Sequence, residues 1–111
     1  LSERSGASDQ LIQEAISQGL IPAGSLFDQH HLRVMESLAQ AEHFGLTPRH
    51  LRGMRVAVER EIDLVRHAVD ASSGRNAKAK RSQREMQREL SDVVQQLRVA
   101  LVRQALDGLE S

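Results

Sequence analysis

From Ser82 to Leu109 the chain keeps a single rhythm. Met86, Leu90, Val93, Val94, Leu97, Leu101, Val102, Ala105, Leu106 and Leu109 recur at spacings of three and four, with polar residues filling between them. Only an α-helix gathers such positions on one side. A helix this long, with a stripe this wide, has more to bury than a small bundle readily covers. The pattern therefore predicts pairing with a second helix through a coiled-coil seam at Leu90, Val94, Leu97 and Leu101. The competing expectation is that the helix folds back on its own chain. Its start is expected at Ser82, which forms a capping box with Glu85 three residues on.

The rest is punctuated as short helices. Gly6 stops a stub over Leu1 to Ser5, and Ser8 caps the next helix, with Asp9 in its first turn. Leu11, Ile12, Ala15 and Ile16 give that helix its apolar stripe, and Gly19 ends it. Asp28 caps a third helix that stops at Gly45. Thr47 followed by Pro48 starts a fourth, expected to run to about Val69. Asp70 to Ala79 is Ser, Gly, Asn and basic residues and reads as linker. The expected division is residues 1–69, a helical bundle; 70–81, a linker; and 82–111, the long helix.

Nothing favours strands: there is no alternating β-branched run and no Asn-Gly or Asp-Gly turn. The fold class is all-α. With two Phe, no Trp and no Tyr, the core is aliphatic and an aromatic-lined pocket is disfavoured. The absence of Cys removes disulfides and thiolate metal sites and suits a reducing cytoplasm. No apolar run is long enough to span a membrane. Formal net charge is zero, whereas a domain that grips duplex DNA alone usually carries a basic excess. Residue 1 is Leu, not Met, so a fragment of a larger protein is expected, with the missing part carrying the principal activity.

Two segments, LSERSGASDQLIQEAISQGLIP (1–22) and FDQHHLRVMESLAQAEHFGLTPRHL (27–51), resemble the DNA-binding domain of the MerR family of bacterial transcription regulators. The family patterns are ELARRTGVSxxTLRYYExxGLLxP and YSxxDLxxLxxIxxxRxLGFSLxEI, and each aligns without gaps. In that family the Arg-Tyr-Tyr of the second helix contacts DNA; the matching positions here are Gln13, Glu14 and Ala15. The family's wing of about ten residues is reduced to Ala23–Leu26. Phe27 and Asp28 match the Tyr-Ser that opens the next helix, and Leu32, Ala41, Gly45, Leu46, Thr47 and Leu51 match packing and turn positions. The resemblance implies a helix-turn-helix that keeps its scaffold and has lost its DNA contacts and full wing. It also implies a long helix that pairs across a homodimer. It is similar to the second, non-DNA-contacting domain of actinobacterial regulators of the FtsR type.

Other chemistry has little support. His30 and His31 are adjacent on a helix and point apart; His43 and His50 flank Gly45, with Asp28 and Glu42 as possible partners, but no H-x-x-x-H or H-E-x-x-H spacing occurs. Capping or solvent-facing roles are the better reading, and no metal and no cofactor is expected. There is no Gly-rich phosphate loop and no Gly-x-Ser-x-Gly elbow. Glu59, Glu61 and Asp63 share a charged helix with Arg60 and Arg66, where ion pairs support the helix. No enzymatic activity is expected. Arg75, Lys78, Lys80, Arg81 and Arg84 form the one basic cluster.

These readings combine into a dimerisation and effector-sensing domain of a MerR-like regulator, cytoplasmic and homodimeric, reaching DNA through the parent protein. Gln10, Gln13, Lys78, Lys80 and Arg81 are the candidates for direct DNA contact, and Ile16, Leu20, Phe27 and Phe44 for an effector pocket. The alternatives are a DNA-binding domain in its own right and a helical adaptor that binds another protein.

Overall fold

Local capping chemistry sets where each helix begins in the computed structural model, which describes residues 1–24, 26–71 and 77–110, the side chains of 77–81 excepted. Five helices follow in order: α1 (Ser2–Ser5), α2 (Asp9–Ser17), α3 (Gln29–Glu42), α4 (Pro48–Ala71) and α5 (Ala77–Glu110). No strand occurs among the described residues, in agreement with the all-α expectation. The chain forms two compact units, Leu1–Ala57 and Val58–Ser111, whose boundary falls within α4.

In the first unit, Gly6 closes α1 in the left-handed region at φ 77°. The Ser8 hydroxyl accepts the Leu11 N–H at 3.1 Å, satisfying an otherwise orphaned donor of α2. Asp28 accepts the His31 N–H at 2.9 Å, and its own N–H donates to His31 Nδ1 at 3.1 Å. That is a reciprocal capping box closed by an imidazole instead of the usual Glu. The start of α4 repeats half of the device: the Thr47 N–H donates to His50 Nδ1 at 3.1 Å, while the His50 N–H donates to the Thr47 carbonyl at 3.0 Å. Pro48, in the first turn of α4, is fully buried.

Ala7, Leu11, Ile12, Ala15, Ile21, Met35 and Leu38 form the core of this unit, with Ile16, Leu20, Phe27 and Leu51 packed against it. Each large aliphatic side chain so buried contributes about 1.5–3 kcal/mol. Ser5, buried among them, is satisfied: its hydroxyl accepts the Ala7 N–H at 3.1 Å.

In the second unit, Val65 and Val69 are buried on α4. Arg98 of α5 reaches Glu61 with two nitrogens; its Nε donates to Oε1 at 3.1 Å, and a terminal nitrogen pairs with Oε2. Gln83, Leu90, Ser91, Val94 and Arg98 are half-buried and share one face of α5. α5 thus folds back along the last turns of α4 as an antiparallel pair.

Two boundaries differ from the sequence reading. α4 runs through Asp70 and Ala71, and α5 begins at Ala77, so both helices take residues from the expected 70–81 linker; 72–76 lie outside the described residues. Ser82 and Glu85 sit inside α5 and do not cap it. Ala, Lys and Arg at 77–81 are strong helix formers, and a capping box starts a helix only where no helical turn precedes it.

Candidate functional site

α2 (Asp9–Ser17) carries the positions that the MerR resemblance aligns with a DNA-contacting helix. Of the three positions that match the DNA-contacting triplet, Gln13 and Glu14 are exposed, while Ala15 is 0% exposed in the core. Gln10, three residues before Gln13, is exposed on the same side. The outer face of α2 therefore presents two amides beside a carboxylate. No Lys or Arg lies anywhere in α2. Affinity for phosphates comes from neutralising cations, so this surface lacks what a DNA-gripping helix needs. Lys78, Lys80 and Arg81, the other DNA candidates, lie outside the described side chains, as does Arg75; Arg84 is exposed on α5. Residues 23, 24 and 26 form no strand.

The four pocket candidates do not come together. Ile16, Leu20 and Phe27 pack on the core, but Phe44 is 86% exposed in the turn after α3. Phe27 packs edge-on to the His31 ring, at 5.9 Å between centroids. It borders an open depression of about 510 Å³ lined also by Leu1, Arg4, Asp28, Gln29 and Leu32.

The long helix is divided between two tasks. Leu90 and Val94 of the expected seam are half-buried on the face that carries Arg98 toward α4, whereas Leu97 and Leu101 are 57% and 54% exposed. Val93, Val99, Val102, Leu106 and Leu109 are exposed as well, as is Leu64 of α4 at 69%. The same three-and-four rhythm allows several stripes, and the sequence reading chose one that α4 partly covers. Every residue from Leu101 to Glu110 is exposed.

Three of the five histidines and several carboxylates have structural roles. His31 and His50 close helix starts, and His43 caps the end of α3. Glu61 pairs with Arg98, and Asp63 with Arg66 at 3.9 Å across one helical turn. No cluster of three or more metal-binding side chains occurs among the described residues. The Asp28 carboxyl is held below the ordinary aspartate value, first by the His31 backbone N–H it accepts and then by the neighbouring imidazoles. No described helix is long and apolar enough to cross a membrane.

Against known proteins, residues 1–110 match the family described as Rv1828-like, C-terminal domain. Over 67 residues the chain is 34% identical to the HTH-type transcriptional regulator Mb1859 of Mycobacterium bovis and to the HTH-type transcriptional regulator Rv1828 of Mycobacterium tuberculosis. Each match takes in 59% of this chain and 27% of the relative, so the aligned part spans about a quarter of either regulator's length.

Proposed function

We propose that this chain, which belongs to the Rv1828-like, C-terminal domain family, is the dimerisation and effector-sensing part of a MerR-like transcription regulator. The names of the two mycobacterial relatives support the regulatory role. The observation that carries the dimer is α5: 34 residues long, about 51 Å at 1.5 Å per residue, with Val93, Leu97 and Leu101 left exposed along it. Apolar side chains at that spacing gain most by meeting a second helix.

In this reading another part of the parent protein, in the cytoplasm, reads the DNA. This domain holds two such readers at the separation that a two-fold operator requires. The scaffold of a helix-turn-helix remains in α2 and α3 because its core residues hold the unit together. On this reading its outer face no longer contacts phosphates, which the exposed Glu14 and the lack of cations on α2 support.

Two measurements test this. Sedimentation equilibrium should find a dimer that Leu97→Asp converts to monomer with the helical circular dichroism unchanged. Anisotropy titration with promoter and scrambled duplexes should show no tight binding at low salt. Tight, sequence-dependent binding whose logarithm falls with log salt by roughly 0.9 per phosphate contact would make this a DNA-binding domain instead. A monomer that gains helix only on adding another protein would make it an adaptor.

A further inference from the structure

Charge along α5 is arranged against the interest of the helix itself. A helix is favoured by acids in its first turn and cations in its last, yet α5 has no acid in its first turn and no base in its last. From Arg75 to Arg88 the sequence carries six basic residues and one acid, Glu85, in a chain whose formal net charge is zero. Arg84 and Arg88 are both exposed and stand one turn apart, a like-charge spacing that destabilises an isolated helix. Neither makes an ion pair or a hydrogen bond among the described residues. With Gln87 and Ser91 they border a shallow depression of about 390 Å³ whose far end is Asp92. At about 100° per residue, the half-buried Gln83, Leu90, Ser91, Val94 and Arg98 set the direction of α5 that faces α4. Arg84, Arg88 and the exposed Gln95 lie about 100° to one side of it, and Val93 and Leu97 about 90° to the other.

We propose that this flank of α5, around Arg84 and Arg88, binds the phosphate backbone of duplex DNA without reading its sequence. This rests on the reading above, in which another part of the parent protein reads the DNA, and adds a second, sequence-independent grip beside that reader. Charge complementarity selects the partner. A guanidinium forks onto two phosphate oxygens, and amides such as Gln95 donate to them as well. Arg84 and Arg88 are about 6 Å apart along the axis of a straight helix, and duplex DNA presents one charge per about 1.7 Å, so each cation can meet its own phosphate. Single strands are gripped by stacking bases on aromatic rings, and α5 has no aromatic residue. Glu85, Glu89 and Asp92 point away from α4, next to the arginines. They confine the contact to one flank and keep it weak. Val93 and Leu97, which the dimerisation reading uses, stand on the opposite flank, so both surfaces can be occupied at once.

The test is fluorescence anisotropy of the chain with labelled promoter and scrambled duplexes over a range of salt. Both duplexes should bind alike, in the range of about 10⁻⁴ to 10⁻⁶ M that non-specific contact gives. Log affinity should fall with log salt with a slope between about −2 and −5, for about two to six contacts at roughly 0.9 each. Arg84→Gln and Arg88→Gln should each make the slope shallower by about 1 and weaken binding about tenfold at low salt. Arg103→Gln, an equal loss of charge at an exposed position further along α5, should leave both unchanged. All three arginines are exposed and Gln keeps helix propensity, so melting curves should coincide. No binding at low salt, or an Arg103→Gln effect equal to that of Arg84→Gln, would overturn the inference; sedimentation equilibrium would still read the dimer, so the two readings fail separately. Equal affinity for polyglutamate or for vesicles of anionic lipid would overturn it too, because the flank would then take any polyanion. Tight binding to the promoter duplex alone would overturn this inference and the dimerisation reading together.

Discussion

Replacing Gly19 by Ala isolates one close approach, that of the Arg55 side chain of α4 to the end of α2. Gly19 follows α2 at φ 75°, a conformation that costs an L-residue about 1–2 kcal/mol. Gly6 has nearly the same geometry, φ 77°, but a Cβ built there meets nothing within 4 Å. At Gly19 the new Cβ stands 3.2 Å from Arg55 Nε and 3.4 Å from its Cζ, because the α4 guanidinium lies over the end of α2. The Arg55 side chain must move by a few tenths of an ångström, and it is half-buried there. Gly6→Ala should therefore cost about 1 kcal/mol, the backbone term alone. Gly19→Ala should cost about 2 kcal/mol, the excess reflecting partial loss of the Arg55 contacts. Thermal unfolding followed by circular dichroism reads the gap, since 1 kcal/mol moves Tm by about 4–8 °C in a domain of this size. In an Arg55→Ala background the excess at Gly19 should vanish. Equal losses at Gly6 and Gly19 within about 0.5 kcal/mol, or an excess that survives removal of Arg55, would refute the reasoning.

Other expectations follow from single contacts. Because the Asp28 pKa is lowered in the folded chain, the cap contributes stability above the ordinary aspartate value, and that contribution is lost as pH falls through the folded value. Asp28→Asn should flatten the acid limb of a stability–pH curve, and an unchanged limb would count against the capping box. Met35, fully buried at 0% exposure, should lose about 2–5 kcal/mol on Met35→Ala, read by urea unfolding. Glu61→Gln should cost no more than about 1 kcal/mol, since Arg98 is 42% exposed. That loss should shrink in high salt, which a melt with and without salt would reveal.

The helix starts were legible because capping is local. Ser8, Asp28 and Thr47-Pro48 each mark a beginning through a side chain that reaches only three residues along. The start of α5 was misread for the same reason: Ser82 and Glu85 have the spacing of a box, but the helix had already begun at Ala77. Which stripe of α5 stays exposed was not legible, because that depends on α4 covering Leu90 and Val94, a long-range choice that periodicity leaves open. Phe44 was expected to line a pocket with Ile16, Leu20 and Phe27, and its place in the turn after α3 carries it outward. Of the three α2 positions singled out, Gln13 and Glu14 are exposed and Ala15 joins the core, a split that follows from helical spacing around Leu11 and Ile12.

The twin imidazole caps carry a spectroscopic consequence. An Nδ1 that accepts from the N–H of Asp28 or Thr47 must be the bare nitrogen, which fixes the ring as the Nε2–H tautomer. His31 and His50 are therefore internal labels for the first turns of α3 and α4. Nitrogen-15 spectra of the two rings would register fraying at either helix start separately, with no probe added to the chain.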